Sequence, residues 1–133
     1  MADKVQFDLV SPERQLRSEA VDMIVVPGTE GDFGVLPGHA PVISTVRPGV
    51  LEIFQGTTVS DRIYITGGIA EVSNDRCTVL ADEAVPVADL DRAKLDVRIK
   101  AAEERLAASK TDGEQYTANT TIAILRELLA TAR

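Results

Sequence analysis

The sequence is poor in the residues that most often carry reactive chemistry. Its 133 residues include no tryptophan, one cysteine (Cys77) and one histidine (His39). A single cysteine excludes an internal disulfide framework and is typical of a reducing compartment. Catalysis needs a positioned constellation of groups, and one histidine, one cysteine and no metal-spaced cluster do not supply one. The sequence therefore predicts no catalytic residue, no metal site and no required cofactor.

Positive charge and long apolar runs are also scarce. The formal net charge is −7, which disfavours nucleic acid and anionic membrane surfaces as direct partners. No apolar run reaches the ~20 residues of a membrane-spanning helix. The alternating run from Val5 onward is unlike a signal peptide. We therefore expect a cytoplasmic protein without membrane insertion, an expectation that leaves room for binding to a membrane complex.

Short β-branched runs are abundant before Pro86. They mostly alternate in polarity, as half-buried strands do, and turn signals separate them roughly every 7 to 15 residues. The runs cover residues 5–10, 20–26, 42–46, 50–54, 61–66, 69–73 and 77–81. With no helical pattern between them, they indicate an antiparallel sandwich or barrel.

After Pro86 the apolar spacing becomes helical. Residues 89–109 contain no Gly or Pro, and Asp89 is the predicted N-cap. Two apolar stripes have helical spacing: Leu90, Ala93, Val97 and Ala101, and Leu95, Ile99, Ala102 and Leu106. A break at Asp112 and Gly113 precedes a second helix at 114–130, whose predicted apolar face is Ala118, Ile122, Leu125, Leu128 and Leu129. The pattern predicts an antiparallel helical hairpin, and any stripe left over must pack on the β domain or on a partner.

Residues 27–41, PGTEGDFGVLPGHAP, are the segment richest in turn-forming residues. They hold four glycines, three prolines and His39. This density indicates a long shaped loop rather than a strand or helix, and such loops often form contact surfaces or sites. A phosphate-binding loop is not indicated, because the segment has no lysine and because Glu30 and Asp32 would repel a phosphate.

This loop and four further strings, in order and at the right spacing, resemble the epsilon subunit of bacterial rotary (F-type) ATP synthases. The other strings are FDLVSPE (7–13), RPGVL (47–51), ITGGIAEV (65–72) and VLADEA (79–84). The resemblance covers the whole chain. It implies an antiparallel β-sandwich of about ten strands over residues 1–86, followed by an antiparallel two-helix hairpin over residues 87–133.

The same resemblance implies a non-catalytic role in the central stalk, at the cytoplasmic face of the bacterial inner membrane. The family's sandwich binds the gamma subunit on one side and the ring of c subunits at its base, and turns with them as one rotor. It thereby couples proton flow to ATP synthesis. In several members the hairpin extends along gamma and inhibits ATP hydrolysis, which would bring it to the alpha and beta subunits.

The resemblance places two sets of contact residues on the sandwich. The predicted c-ring contacts are Gly31, Asp32, Phe33, Gly38 and His39. A carboxylate and an imidazole on a fixed loop suit Arg, Gln and Asn partners; the alternative is that the glycines only satisfy positive φ angles and that His39 caps a local turn. The predicted gamma contacts are Ser11, Leu16, Val42, Ser44, Val46 and Glu71.

A nucleotide site is implied more weakly. The family's ATP-binding members carry Ile or Leu, Asp, two variable residues, Arg and Ala; here Asp89, Arg92 and Ala93 match, but Ala88 stands in the leading aliphatic position. Arg126 is a further candidate, with Arg98 nearby in sequence. We expect the Kd for any ATP binding to be near or above about 1 mM. The alternative is that this segment binds no nucleotide and is only a capped helix with an exposed ion pair.

Inhibition of hydrolysis should also be weak, because the second helix offers only Arg126 and Arg133 as cations and Glu127 offsets one of them. Two rival functions stay open. One is an ATP-sensing regulatory module whose hairpin changes conformation with nucleotide, which saturable ATP binding would distinguish. The other is a small stand-alone β enzyme, which the lack of a reactive constellation disfavours.

Overall fold

The computed structural model describes residues 3–132, and ten β-strands occupy the first two thirds of this range. They are β1 (Val5–Val10), β2 (Gln15–Val21), β3 (Met23–Gly28), β4 (Gly31–Val35), β5 (Val42–Val46), β6 (Gly49–Gln55), β7 (Thr58–Ile65), β8 (Gly68–Val72), β9 (Arg76–Ala81) and β10 (Ala84–Pro86). A 3₁₀ turn (Val87–Asp89) leads into the helices α1 (Arg92–Ala108) and α2 (Asp112–Thr131).

The strands form two packed layers. Their order is β10-β7-β6-β3-β5-β8-β9-β1-β2, with β4 on the free side of β3. β3 and β5 share a single residue pair, Gly28 with Val46, so the sheet folds over at this junction. Val, Ile and Leu side chains from both layers, with Phe7, fill the space between them. The predicted sandwich of about ten strands is confirmed, although β1 and β9 pair in parallel rather than antiparallel.

Two of the predicted segment boundaries were wrong. Residues 20–26 form parts of two strands, which separate at Asp22; the Asp22 carboxylate accepts a hydrogen bond from the Gly56 N–H and one from Lys4. Residues 31–35, predicted as loop, form β4 and pair with β3. Glycine-rich strands read as loops in sequence, but here the turn before Gly31, whose φ is +128°, brings this segment back along β3.

The helix starts also differ from the prediction. Asp91, not Asp89, caps α1, because its carboxylate accepts a hydrogen bond from the Lys94 N–H at 2.9 Å. Leu90 is extended and buried just before it, which holds Asp89 back in the 3₁₀ turn. α2 begins at Asp112, since the Thr111 hydroxyl caps the Glu114 N–H at 3.1 Å. The predicted break therefore lies within the first turn of α2.

The hairpin packs on the outer face of β6 and β7. One predicted α1 stripe supplies the buried residues Leu95, Ile99 and Ala102, and α2 supplies Ala118, Thr121, Ile122, Leu125 and Leu128. Several of these form a second core cluster with Tyr64 of β7, apart from the sandwich core. The other predicted α1 stripe includes Val97, which is 68% exposed. The hairpin is thus docked, and of this second stripe Leu90 is buried whereas Ala93 and Val97 stay exposed.

Cys77 lies in the sandwich core and is fully buried. Burial raises the pKa of its thiol to about 12, so almost none of it is the reactive thiolate near neutral pH. Cys77 is therefore an inert core residue.

Candidate functional site

The predicted c-ring residues of β4 and the following loop meet in one shallow groove. Gly31, Asp32, Phe33 and His39 line it, together with residues at the start of β5. The Phe33 and His39 rings lie 6.4 Å apart, centroid to centroid, and are tilted by 43°. His39 Nδ1 donates a hydrogen bond to the Ala40 carbonyl oxygen at 2.7 Å. In the neutral ring this assigns the proton to Nδ1 and leaves Nε2 as an acceptor.

Asp32 is held by an arginine that sequence reasoning did not select. Arg47 Nη2 lies 2.7 Å from Asp32 Oδ1, while the Asp32 side chain stays 58% exposed. No hydrogen bond to Asp32 Oδ2 occurs within residues 3–132. The pair fixes the direction of the carboxylate and leaves one oxygen for a partner. The sequence did draw attention to Arg47, which is the first residue of the RPGVL string. Nothing in that string indicates that Arg47 pairs with Asp32.

Gly38 lies outside this groove and anchors the loop. Its φ is +85°, and its N–H donates to the Asn74 carbonyl oxygen at 2.6 Å, which ties the loop to the turn between β8 and β9. The loop therefore shows both features of the alternative explanation given above, in which these residues only shape the backbone. Gly31 and Gly38 have positive φ angles, and His39 closes a local turn. These features give the loop a fixed shape, and they leave the exposed groove accessible.

A second exposed surface lies on the outer face of the layer that contains β5, β8 and β9. Ile43 is 73% exposed, Ile69 47% and Leu80 46%. Cross-strand register brings them together, because Ile69 pairs with Leu80 and Ile43 pairs with Glu71, two residues from Ile69. We call these three side chains the outer apolar patch. Sequence alternation alone could not select them, since either face of each strand could have been the core.

One buried polar group on this outer face, Asp8, is satisfied within the chain. Asp8 on β1 is buried and accepts a hydrogen bond from the Ser18 hydroxyl at 2.8 Å, and it also pairs with Arg76. The Ser18 hydrogen bond, with smaller contributions from Gln6 and Arg76, holds the pKa of Asp8 below its ordinary value. Asp8 is therefore not a free contact group, whereas Ile43, Ile69 and Leu80 remain exposed.

The six predicted gamma contacts do not form one surface. Val46 is 3% exposed in the core, and Leu16 is partly buried against it. Val42 and Ser44 share the Val46 face of β5 by alternation and line the groove beside His39. Glu71 lies beside the outer apolar patch, whereas Ser11 is in the β1–β2 turn, its N–H bonded to the Arg14 carbonyl.

The residues proposed for a nucleotide are likewise not assembled. Asp89 and Ala93 line a shallow depression at the start of α1, together with Arg98. Arg126 pairs with Glu103 at 3.3 Å, about three turns, or about 16 Å, along α1 from Arg92. Arg98 is engaged by Glu83 through two hydrogen bonds of 3.0 and 2.7 Å. Arg133 lies outside the described residues.

Within residues 3–132, no helix combines the length and hydropathy needed to span a membrane. In the same range, no three or more His, Cys, Asp and Glu side chains are grouped so as to hold a metal ion.

Comparison with known proteins gives consistent matches. Residues 4–87 match the family model for the ATP synthase, Delta/Epsilon chain, beta-sandwich domain. The ATP synthase epsilon chain of Rhodospirillum rubrum is 52% identical over 130 residues, which cover 98% of this chain and 97% of the relative. That of Paramagnetospirillum magneticum is 53% identical over 115 residues, 86% of each chain.

Solved structures match the whole fold. A chain in the cryo-EM structure of the Euglena gracilis mitochondrial ATP synthase, with OSCP, F1 and c-ring, has a TM-score of 0.75 at 26% identity; the match covers 98% of this chain and 82% of that one. A chain of the Tetrahymena thermophila mitochondrial central stalk and c-ring has a TM-score of 0.67 at 16% identity, over 96% and 98%, a similarity of fold alone. Because the family model matches residues 4–87 and the Rhodospirillum relative is 52% identical over nearly the full length of both chains, the chain belongs to the epsilon chain family of ATP synthases.

Proposed function

We propose that this chain is a non-catalytic rotor subunit in the central stalk of a proton-translocating ATP synthase. Its sandwich holds the gamma subunit and the c-ring together, so that ring rotation turns gamma and drives ATP synthesis. It works at the cytoplasmic face of the bacterial inner membrane as a peripheral subunit. The observation that carries the proposal is the outer apolar patch, because three large apolar side chains on adjacent strands stay uncovered while the hairpin occupies the other layer.

The outer apolar patch is the surface we assign to gamma. Protein interfaces combine an apolar, well-packed centre with a polar rim, and here Glu71 pairs with Ile43 and Thr78 pairs with Glu71. Since the hairpin packs on β6 and β7, the patch stays free whether the hairpin is docked or released. Gamma can therefore remain bound through any movement of the helices.

The groove of Gly31, Asp32, Phe33 and His39 is the surface we assign to the c-ring. Asp32 offers one free carboxylate oxygen, and His39 offers Nε2 as an acceptor. Both suit Arg, Gln or Asn side chains in the polar turns of helical hairpins. The Euglena assembly, in which the matching chain is 26% identical to this one, includes the c-ring, which supports this assignment.

The test is proton pumping by a reconstituted complex that carries the double variant Asp32→Ala and His39→Ala. We expect protons pumped per ATP hydrolysed to fall about fivefold or more, because two hydrogen-bonding contacts to the ring, one of them charge-assisted, are lost, while ATP hydrolysis itself continues. Asp96→Ala is the matched control, since Asp96 is exposed on α1 and makes no hydrogen bond within residues 3–132.

An unchanged ratio in fully assembled double-variant complexes would remove the groove from the c-ring interface. The broader proposal has a separate test in complexes prepared without this chain. If those pumped at the wild-type ratio, the chain would have no coupling role.

ATP sensing is the rival function, and the contacts disfavour it. A phosphate group at the start of α1 would have to displace Glu83 from Arg98, and Arg126 is too far along the hairpin to help. In an ATP titration of the isolated chain, followed by calorimetry, we expect no saturation below about 1 mM. Saturation in the micromolar range would contradict this and restore the regulatory module as the better description.

The hairpin offers little positive charge for an inhibitory contact with other subunits. Arg126 is already paired within the hairpin, and exposed ion pairs with alpha or beta would supply roughly 0 to 2 kcal/mol in total, screened at cellular salt. We propose that the exposed apolar side chains of Ala93 and Val97 contribute more than charge to any such contact.

A further inference from the structure

The hairpin and the sandwich meet through an almost entirely apolar interface. Tyr64 of β7, 1% exposed, packs among Leu90, Leu95, Leu125 and Leu128, with Val50 and Val85 at the edge. Apolar contacts of this kind stabilise association but impose little directional preference. Something else must therefore determine the position of α1 on the strands.

One ion pair crosses this interface with a defined geometry. Arg98 on α1 donates through Nη1 and Nη2 to the two carboxylate oxygens of Glu83, which lies between β9 and β10, at 3.0 and 2.7 Å. The guanidinium carbon also lies 5.7 Å from the centroid of the Tyr64 ring. Among residues 3–132, no other ion pair uses both oxygens of its carboxylate in this way.

Arg98 and Glu83 each stabilise the charged form of the other. The two hydrogen bonds from Arg98 hold the pKa of Glu83 below its ordinary value, and the Glu83 carboxylate in turn raises the pKa of Arg98. Burial under the hairpin raises the pKa of Tyr64. A bidentate pair is specific in direction, and a cation over an aromatic ring adds a further attraction.

We infer that Arg98 and Glu83 form a latch that keeps the helical hairpin docked on the sandwich. When the pair breaks, α1 keeps only non-directional apolar contacts and the undocked population rises. The consequence for regulation rests on the proposed function, because only in the rotor would released helices have other subunits to reach. The latch itself is a property of the isolated chain.

Thiol labelling of the isolated full chain tests the latch. Leu128 of α2 is 3% exposed in the interface cluster, so Leu128→Cys reacts only when the interface opens, at a rate proportional to the open population. Cys77 serves as the internal baseline, since its burial in the sandwich core makes it report only global unfolding. All further variants are made in the Leu128→Cys background.

We expect Glu83→Gln to raise the labelling rate about fivefold, and Glu83→Arg or Arg98→Glu to raise it more than tenfold by placing like charges together. The double variant with both reversals restores an opposite-charge pair and should return the rate to within about threefold of the background. Glu103→Gln removes the comparable pair with Arg126 inside the hairpin and should change the rate less than twofold.

Two results would overturn the latch. One is an unchanged labelling rate in both charge-reversal variants. The other is a double variant that labels as fast as the single ones, since each change would then act independently of the pair. Neither result bears on proton pumping, so failure of the latch and failure of the rotor proposal remain distinguishable.

Discussion

Replacing Ile43 by arginine is expected to weaken binding to the F1 complex by about two orders of magnitude while leaving the chain folded. Central apolar residues of an interface commonly contribute 2 kcal/mol or more, and ~2.7 kcal/mol corresponds to a hundredfold change in Kd. In the free chain Ile43 is 73% exposed, so the guanidinium group of an arginine at this position stays in water. In the complex with gamma the same charge would be buried without a partner among apolar side chains.

Binding of the full chain to F1 prepared without this subunit measures the effect directly. Val59→Arg is the matched control, because Val59 is an exposed β-strand valine, 37% accessible, on β7 of the other layer. It should bind as the wild type does. If Ile43→Arg also bound with wild-type affinity, the outer apolar patch would not be the gamma surface.

Replacing Gly68 by alanine is expected to destabilise the fold by ~3 kcal/mol or more. The φ angle of Gly68 is +151°, and a Cβ atom there would overlap the Leu80 carbonyl oxygen and lie 3.0 Å from the Ala81 Cα. These are backbone atoms of β9, the strand paired with β8 at this position, so no side chain can move aside. Removing this overlap requires β8 and β9 to separate at the start of their ladder. Local strain of this kind gives large losses of stability.

Thermal unfolding measures this loss, with an expected fall in Tm of about 10 °C for a domain of this size. Gly56→Ala is the control: Gly56 also has a positive φ, +67°, but nothing lies within 4 Å of the added Cβ. It should cost only the ~1 kcal/mol of an alanine in the left-handed region. Equal losses in the two variants would mean that backbone conformation, and not the contact with β9, dominates at Gly68.

Much of the fold could be read from periodicity. The strands at 5–10 and 42–46 and both helices follow from apolar spacing, because burial of one face leaves a regular trace in sequence. The β3–β4 hairpin could not be read in the same way. Its second strand, GDFGV, has two glycines, and its stability comes from pairing with β3 and from burial of Val35 and Phe33 rather than from local propensity.

The candidate surfaces were predicted to different extents. The motif around Gly31, Asp32 and His39 pointed to residues that do share one groove. The predicted gamma set was scattered because alternation along β5 shows that two faces exist without showing which one is buried. Arg47, which orients Asp32, and the pairing of Glu83 with Arg98 depend on contacts between residues 15 apart in each case.

The amino-acid sequence by itself determined the order of a β domain and a helical hairpin, and the family. Each of these depends on local composition, spacing or short strings. Tertiary structure alone decided that Ile43, Ile69 and Leu80 face outward together, that Val46 faces inward, and that Arg98 meets Glu83 above Tyr64. The reason is that side-chain exposure and ion pairing depend on which strands and helices pack together, and several packings satisfy the same one-dimensional pattern.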